Sequence, residues 1–145
     1  MTTKNILITG SNGCVGQYLI DWFLKNTTFQ LFLMVRNQDT LSKSIQKNKR
    51  VKLLVCDIRE CLGFKEEINS INFLIHTATA WGDPKRAYDV NIKAFEELLG
   101  MLNEDSVERI IYFSTASILN YETELMREAL IYGTEYIQTK YQCYE

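Results

Sequence analysis

Five strand-length apolar runs, at residues 6–8, 31–35, 51–56, 73–76 and 110–113, recur along this chain, and each is separated from the next by a segment long enough for a helix. Apolar strands that do not alternate with polar residues have no face suited to water, so they predict a parallel sheet covered by helices on both faces. Right-handed crossovers then make the sheet doubly wound. The expected fold class is α/β, with about five parallel strands in a single domain spanning residues 1–145.

The first run opens directly into Thr9, Gly10, Ser11, Asn12, Gly13, Cys14, Val15 and Gly16. This reads as a strand, a tight glycine turn, and a helix that begins at Gly13 and presents Val15, Leu19 and Phe23. The first amides of a helix lack intrahelical partners and carry about half a positive charge, so phosphate binds there. Gly10 permits the turn, Gly13 lets a pyrophosphate reach the backbone, and Gly16 lets the helix pack closely. The same three glycines also suit a plain strand-to-helix turn.

Composition narrows the partners. A hydrophobic share of 46% and a formal charge of −2 describe an ordinary globular protein, with no basic surplus for nucleic acid or an anionic membrane. The apolar runs are too short and too often interrupted by charge for a transmembrane helix or a signal peptide, so the cytoplasm is the expected compartment. Cys14, Cys56, Cys61 and Cys143 lack C-x-x-C spacing, and His76 is the single histidine, so neither a disulfide framework nor a metal site is expected.

Between the strands, Tyr88, Ile92, Phe95, Leu99 and Leu102 recur at helical spacing behind a start at Asp83-Pro84. Residues 38–50 are polar, with Leu41 and Ile45 four apart, and predict a short surface helix. A last helical stretch is expected over 122–144, broken near Gly133.

Several strand ends carry residues with chemistry. Arg36 follows the second strand, where dinucleotide-binding domains commonly place an acidic residue on the ribose; its planar cationic fork suits a 2′-phosphate, which favours NADP over NAD, although a surface arginine reads the same way. Asp57 ends the third strand and can accept from an adenine amino group with Ile58 against the ring, or it can cap the following turn. Ser114, Thr115 and Ser117 follow the fifth strand, as substrate-binding hydroxyls or as turn chemistry. Tyr136 and Lys140 share one helix face at i, i+4. A phenol of pKa near 10 needs roughly 4 kcal/mol to become a base near neutral pH, part of which a neighbouring ammonium supplies. An amphipathic helix accounts for the same spacing.

Taken in order, the glycine turn, Asp57-Ile58, Ile75-His76-Thr77-Ala78, Asn91, Ser114-Thr115 and Tyr136…Lys140 resemble the extended short-chain dehydrogenase/reductase family, the epimerase/dehydratase type with a Rossmann fold. The resemblance spans the chain. It implies pyrophosphate binding at Gly10, Ser11, Asn12, Gly13, Cys14, Val15 and Gly16, and adenine contact at Asp57 and Ile58. It further implies a cofactor-lining role for Ala78 and Ala80, and a shaping role for Asn91. Tyr136 becomes the acid/base, and Lys140 both its neighbour and a ribose ligand. Thr115 is the first choice for the catalytic hydroxyl and Ser114 the second, because Ile118-Leu119-Asn120 replaces the family's Val-Tyr-Gly. The substrate implied is a carbonyl, an alcohol or a nucleotide sugar, with Val35-Arg36-Asn37 leaning toward NADP-dependent carbonyl reductases while NAD stays possible. A homodimer through the helices of Phe95 and Tyr136 is possible by the same resemblance. Family members continue well past the Tyr/Lys helix, so this chain is expected to be the N-terminal cofactor-binding portion, without the C-terminal substrate lobe and with an exposed sheet edge. The competing expectations are a catalytically inactive nucleotide-binding or interaction module, and a plain α/β domain with no ligand.

Overall fold

A computed structural model describes residues 3–144. Strands β1 (Asn5–Thr9), β2 (Gln30–Val35), β3 (Val51–Val55), β4 (Phe73–His76) and β5 (Arg109–Tyr112) make one sheet in the order β3-β2-β1-β4-β5, with every neighbouring pair parallel. The register places Ile6 level with Leu31 on one side and with Phe73 on the other. From β1 the chain steps outward to β3, then returns to the far side of β1 to lay down β4 and β5. The crevice at this reversal, beyond the C-terminal strand ends, is where open α/β sheets bind ligands.

Strand periodicity sends successive residues to opposite faces. Leu7, Phe32, Met34, Leu54 and Leu74 join one core with Val90, Phe95 and Leu98. Ile6, Ile8, Leu31, Leu33 and Ile75 join the other with Ile20 of α1 (Cys14–Asn26), flanked by Leu19 and Phe23. Leu7, Leu31, Leu33, Leu54 and Leu74 are fully buried, and each contributes roughly 2–3 kcal/mol of apolar burial. Helices α2 (Lys43–Gln46) and α3 (Lys65–Asn69) are short connectors. Among the described residues no helix is long and apolar enough to cross a membrane.

The central helix departs from the expected periodicity. Asp83 caps it by accepting from the Arg86 amide, and α4 (Pro84–Tyr88) runs into a π-helical turn (Asp89–Lys93) and then α5 (Ala94–Leu99). A π turn holds one extra residue, so the 3.6-residue register breaks across it. Val90, Asn91 and Ile92 are consequently buried in succession, Ala87 is buried, and Tyr88, the first residue of the helical-spacing pattern, is 45% exposed.

Two further segments correct the sequence reading. Residues 38–50 form a 3-10 turn (Gln38–Thr40) and α2 rather than one helix, because Asn37 and Ser42 each cap a new start and Leu41 turns into the core between them. The stretch 122–144 begins as a loop, closed by a bridge between Leu119 and Leu125, and becomes helical only in α6 (Arg127–Tyr132) and α7 (Glu135–Gln142). The break does fall at Gly133, where an added Cβ would lie 2.2 Å from the Ala129 carbonyl. The sheet is also not fully covered: Ile110 and Ile111 of β5 and the following Phe113 stand 43%, 44% and 39% exposed.

Candidate functional site

A cleft of about 460 Å³ opens at the strand reversal, bounded by the glycine turn, Arg36, residues 56–58, residues 77–81, Arg86, Val90, Phe113, Ser114, Tyr136 and Lys140. It therefore brings together the turn's Gly10, Asn12, Gly13, Cys14, Val15 and Gly16 with Arg36, Asp57, Ile58, Ala78, Ala80, Ser114, Tyr136 and Lys140. Of the expected site residues, Ser11 and Thr115 do not line it.

At the β1–α1 end the geometry is backbone geometry. Gly10 sits at φ +65°, and a Cβ there would come 2.7 Å from Thr77 Oγ1 and 2.8 Å from the Ala78 amide nitrogen. A Cβ on Gly16 would lie 2.4 Å from the Gly10 carbonyl oxygen, so the close approach that it permits is to the turn itself. Ser11 is buried because its hydroxyl donates to the Ile8 carbonyl at 2.6 Å, which tightens the turn from within. Gly13 caps α1 with no side-chain hydrogen bond, and the first turn of α1 holds no acidic residue. The N-terminal amides of α1 are thus left to an anion, the donor set and the vacant volume that a pyrophosphate requires.

The side of the cleft at the ends of β2 and β3 holds Arg36, Asp57 and Ile58. Arg36 is exposed directly after β2. Asp57 caps the 3-10 helix Ile58–Phe64 by accepting from the Arg59 amide, and both its oxygens accept from the Arg59 side chain at 2.9 Å. Arg59's hydrogen bonds, against the opposing effect of burial, push the Asp57 carboxyl down to about 2. The cap left open by the sequence is therefore formed, on a carboxylate that still borders the cleft. Ile58 is buried beneath it.

The β5–α7 end is made of side chains. Tyr136 and Lys140 lie on one face of α7, with the Lys140 Nζ 5.8 Å from the centre of the Tyr136 ring. Lys140 is 2% exposed, donates to the Phe113 carbonyl at 2.8 Å, and burial pushes its ammonium down to about 8. Ser114 faces the cleft. Thr115 instead accepts from the Ser117 amide to cap the turn Ala116–Ile118, and lines a small adjoining apolar hollow with Ile118, Leu119 and Tyr144.

Asn91 ties this end together. Its amide oxygen accepts from the Ala80 amide at 2.8 Å and from Thr79 Oγ1 at 3.2 Å, while its nitrogen donates to the Ala80 carbonyl and to Thr139 Oγ1, each at 2.9 Å. The π turn supplies the register that brings Asn91 inward. Thr9 Oγ1 accepts from the Thr77 and Ala78 amides at 3.2 Å, leaving its own proton for His76 Nδ1 at 3.0 Å. His76 is buried and packed at a tilt against Phe95, and desolvation lowers its pKa to about 3, so the ring is neutral.

The sequence reading missed Trp81, Arg86 and Glu135. Trp81 is 67% exposed at the cleft rim, set edge-on to Tyr136 with ring centres 6.5 Å apart. Its backbone is pinned on both sides, by Asn91 at Ala80 and by the Glu135 carboxylate, which accepts from the Gly82 amide at 2.5 Å. A lone tryptophan between a strand end and the Gly82-Asp83-Pro84 turn is the signal that marks this position.

An open parallel sheet with its glycine turn and the helix of Tyr136 and Lys140 at the strand reversal defines a Rossmann domain of the extended short-chain dehydrogenase/reductase class. The model of the 3-beta hydroxysteroid dehydrogenase/isomerase family matches residues 7–144, and the chain belongs to that family. A UDP-glucose 4-epimerase of Rickettsia rickettsii is 23% identical over 124 residues, 77% of this chain and 36% of that protein. Among solved structures, a UDP-glucuronic acid 4-epimerase of Bacillus cereus in complex with NAD superposes with TM-score 0.76 at 20% identity, covering 97% of this chain and 51% of the other. The yeast methylglyoxal/isovaleraldehyde reductase Gre2 with NADPH gives TM-score 0.69 at 17% identity, covering 97% and 52%. The chain thus spans about a third of the curated relative and half of the solved chains.

Proposed function

We propose that this chain is the dinucleotide-binding portion of an NAD(P)-dependent oxidoreductase or epimerase, with Tyr136 as its acid/base. The observation that carries the reading is the convergence on one cleft of the uncapped α1 amides, Arg36 and the Tyr136–Lys140 pair. The α1 amides bind the pyrophosphate, Ile58 and Ala78 wall the adenosine and ribose side, and Lys140 holds a ribose hydroxyl. NAD(P) supplies hydride acceptance or donation when bound. The Tyr136 hydroxyl exchanges a proton with the substrate oxygen, and Lys140 beneath its ring favours the phenolate. Ser114, which borders the cleft, takes the hydrogen-bonding role ahead of Thr115, whose oxygen is engaged in capping. The substrates suited to this chemistry are carbonyls, alcohols and nucleotide sugars.

Arg36 favours NADP, because its guanidinium is exposed at the end of β2 and no acidic residue immediately follows that strand. The relatives divide on this point, one solved with NAD and one with NADPH. Fluorescence titration of the protein with NADPH and NADH tests it: NADPH binds at least tenfold tighter, and Arg36→Ala removes the difference. Equal affinities in the wild type sink the NADP assignment. Tyr136→Phe is expected to lower hydride transfer by roughly 10²–10⁴-fold while leaving NADPH binding intact.

A second reading is a nucleotide-binding module without turnover of its own. It is favoured by the bare apolar side chains of Ile110, Ile111 and Phe113, which suit a protein partner on the β5 side. Hydride transfer by the 145-residue chain, lost in Tyr136→Phe, excludes it.

A further inference from the structure

Lys140 poses an electrostatic problem that the catalytic reading leaves unsolved. Its ammonium lies in a residue only 2% exposed, and among the described residues no carboxylate pairs with it. Burying a charge without a counter-charge is expensive, and the single hydrogen bond to the Phe113 carbonyl uses one of three donors. The nearest further source of negative potential is an aromatic face. The Nζ stands 4.4 Å from the centre of the Tyr112 ring, closer than its 5.8 Å to Tyr136.

Tyr112 is itself held in place by a stack. Its ring lies 5.1 Å from Phe95 and 5.7 Å from His76, at interplanar angles of 28° and 13°, and His76 and Phe95 are in turn 4.2 Å apart. The Tyr112 hydroxyl is buried, and the polar group beside it is the Cys143 thiol, at a geometry too poor for a full hydrogen bond. A phenylalanine would keep the ring face toward Lys140 and lose only the Cys143 contact, so it separates the ring from the hydroxyl.

We propose that Tyr112 is a positioning residue for Lys140: its ring face and the carbonyl of the next residue, Phe113, form a two-residue seat at the end of β5 that holds the ammonium below Tyr136. The seat rests on the reading that Lys140 serves Tyr136, yet it is a property of the free protein. A cation over a ring face is worth about 0.5–2 kcal/mol, which corresponds to a change of about one pH unit in a titration midpoint. The titratable groups facing Lys140 are His76 from β4, Tyr112 from β5, and Tyr136 and Cys143 from α7 and its end. His76 stays neutral above about pH 3, and burial raises the Tyr112 hydroxyl and the Cys143 thiol, so these three carry no charge where Lys140 titrates.

The test replaces Tyr112 by phenylalanine and then by its mono-, di- and trifluorinated analogues, which drain the ring face of negative potential at nearly constant volume. The Lys140 midpoint is followed by NMR of lysine labelled with carbon-13 at the ε position, without cofactor. Tyr112→Phe is expected to keep the wild-type midpoint, and the fluorinated series to lower it stepwise by about one pH unit in all. A midpoint that stays flat across the series overturns the proposal. Under the proposal the alkaline edge of the pH–rate profile moves with the midpoint, and an edge that stays put while the midpoint falls overturns the positioning role. Absence of NADPH binding or turnover in the wild type counts against the proposed function instead, and leaves the titration to decide the seat.

Discussion

The β1–α1 end of the cleft and the β5–α7 end solve the same problem with different material. At the first, shape comes from main chain: Gly10 at positive φ, Gly16 against a carbonyl, and helix amides with no side chain over them. At the second it comes from side chains that meet across long stretches of sequence, as when Asn91 reaches Thr139 over 48 residues and Lys140 reaches Phe113 over 27. The first end is set by backbone geometry and fails when a side chain intrudes. The second is held by hydrogen bonds whose loss leaves buried polar groups without partners, so it is the more fragile of the two.

That contrast can be broken by measurement. Asn91→Ala strips partners from Ala80 at both its amide and its carbonyl and from Thr139, and is expected to cost about 3 kcal/mol of unfolding free energy in urea titration. A loss below about 1 kcal/mol would show that the side-chain end does not depend on it. Gly16→Ala is next, at about 2 kcal/mol, because the crowding atoms are backbone, and it should weaken NADPH binding at least tenfold.

Asp57→Ala comes third, at about 1 kcal/mol near neutral pH for the lost cap. Its pH dependence has a definite sign. The folded carboxyl titrates at about 2, below its ordinary 3.8, so its stabilising contribution is complete above about pH 4 and disappears as the pH falls through 2. Wild type and variant should therefore converge in stability across that window, and a gap that persists at pH 2 would assign the effect to packing. Gly13→Ala should be the mildest, within about 0.5–1 kcal/mol, since its Cβ would meet only the Gly10 carbonyl at 3.2 Å; a loss of stability equal to that of Gly16→Ala would remove the distinction between the two glycines.

The same division explains what could be read from the sequence. The five strands were legible because apolar runs of strand length have few alternatives, and the glycine turn because its roles lie within seven adjacent residues. Tyr136 and Lys140 could be placed on one helix face from their spacing. The proposed seat for Lys140 could not, because Tyr112 and Phe113 lie on another element, with Phe113 27 residues earlier in the chain, and meet it only in the fold. Asp57 could not be decided, since capping and ligand contact ask for the same carboxylate at the same strand end. Tyr88 departs from the helical-spacing pattern for a third reason: a π turn changes the helical register without a sequence period of its own.

The π turn between Tyr88 and Ala94 has an evolutionary corollary. Removing one residue from Asp89–Lys93 would let the segment relax to a regular helix, with better local hydrogen bonding, and would leave its two halves in nearly their present orientation while changing which side chains of the turn face inward. Asn91 would then leave Ala80 and Thr139. A segment that gains local order on shortening while losing its global fit tolerates substitution far better than deletion. Length there should be held constant in lineages where the identity of most side chains is free to drift.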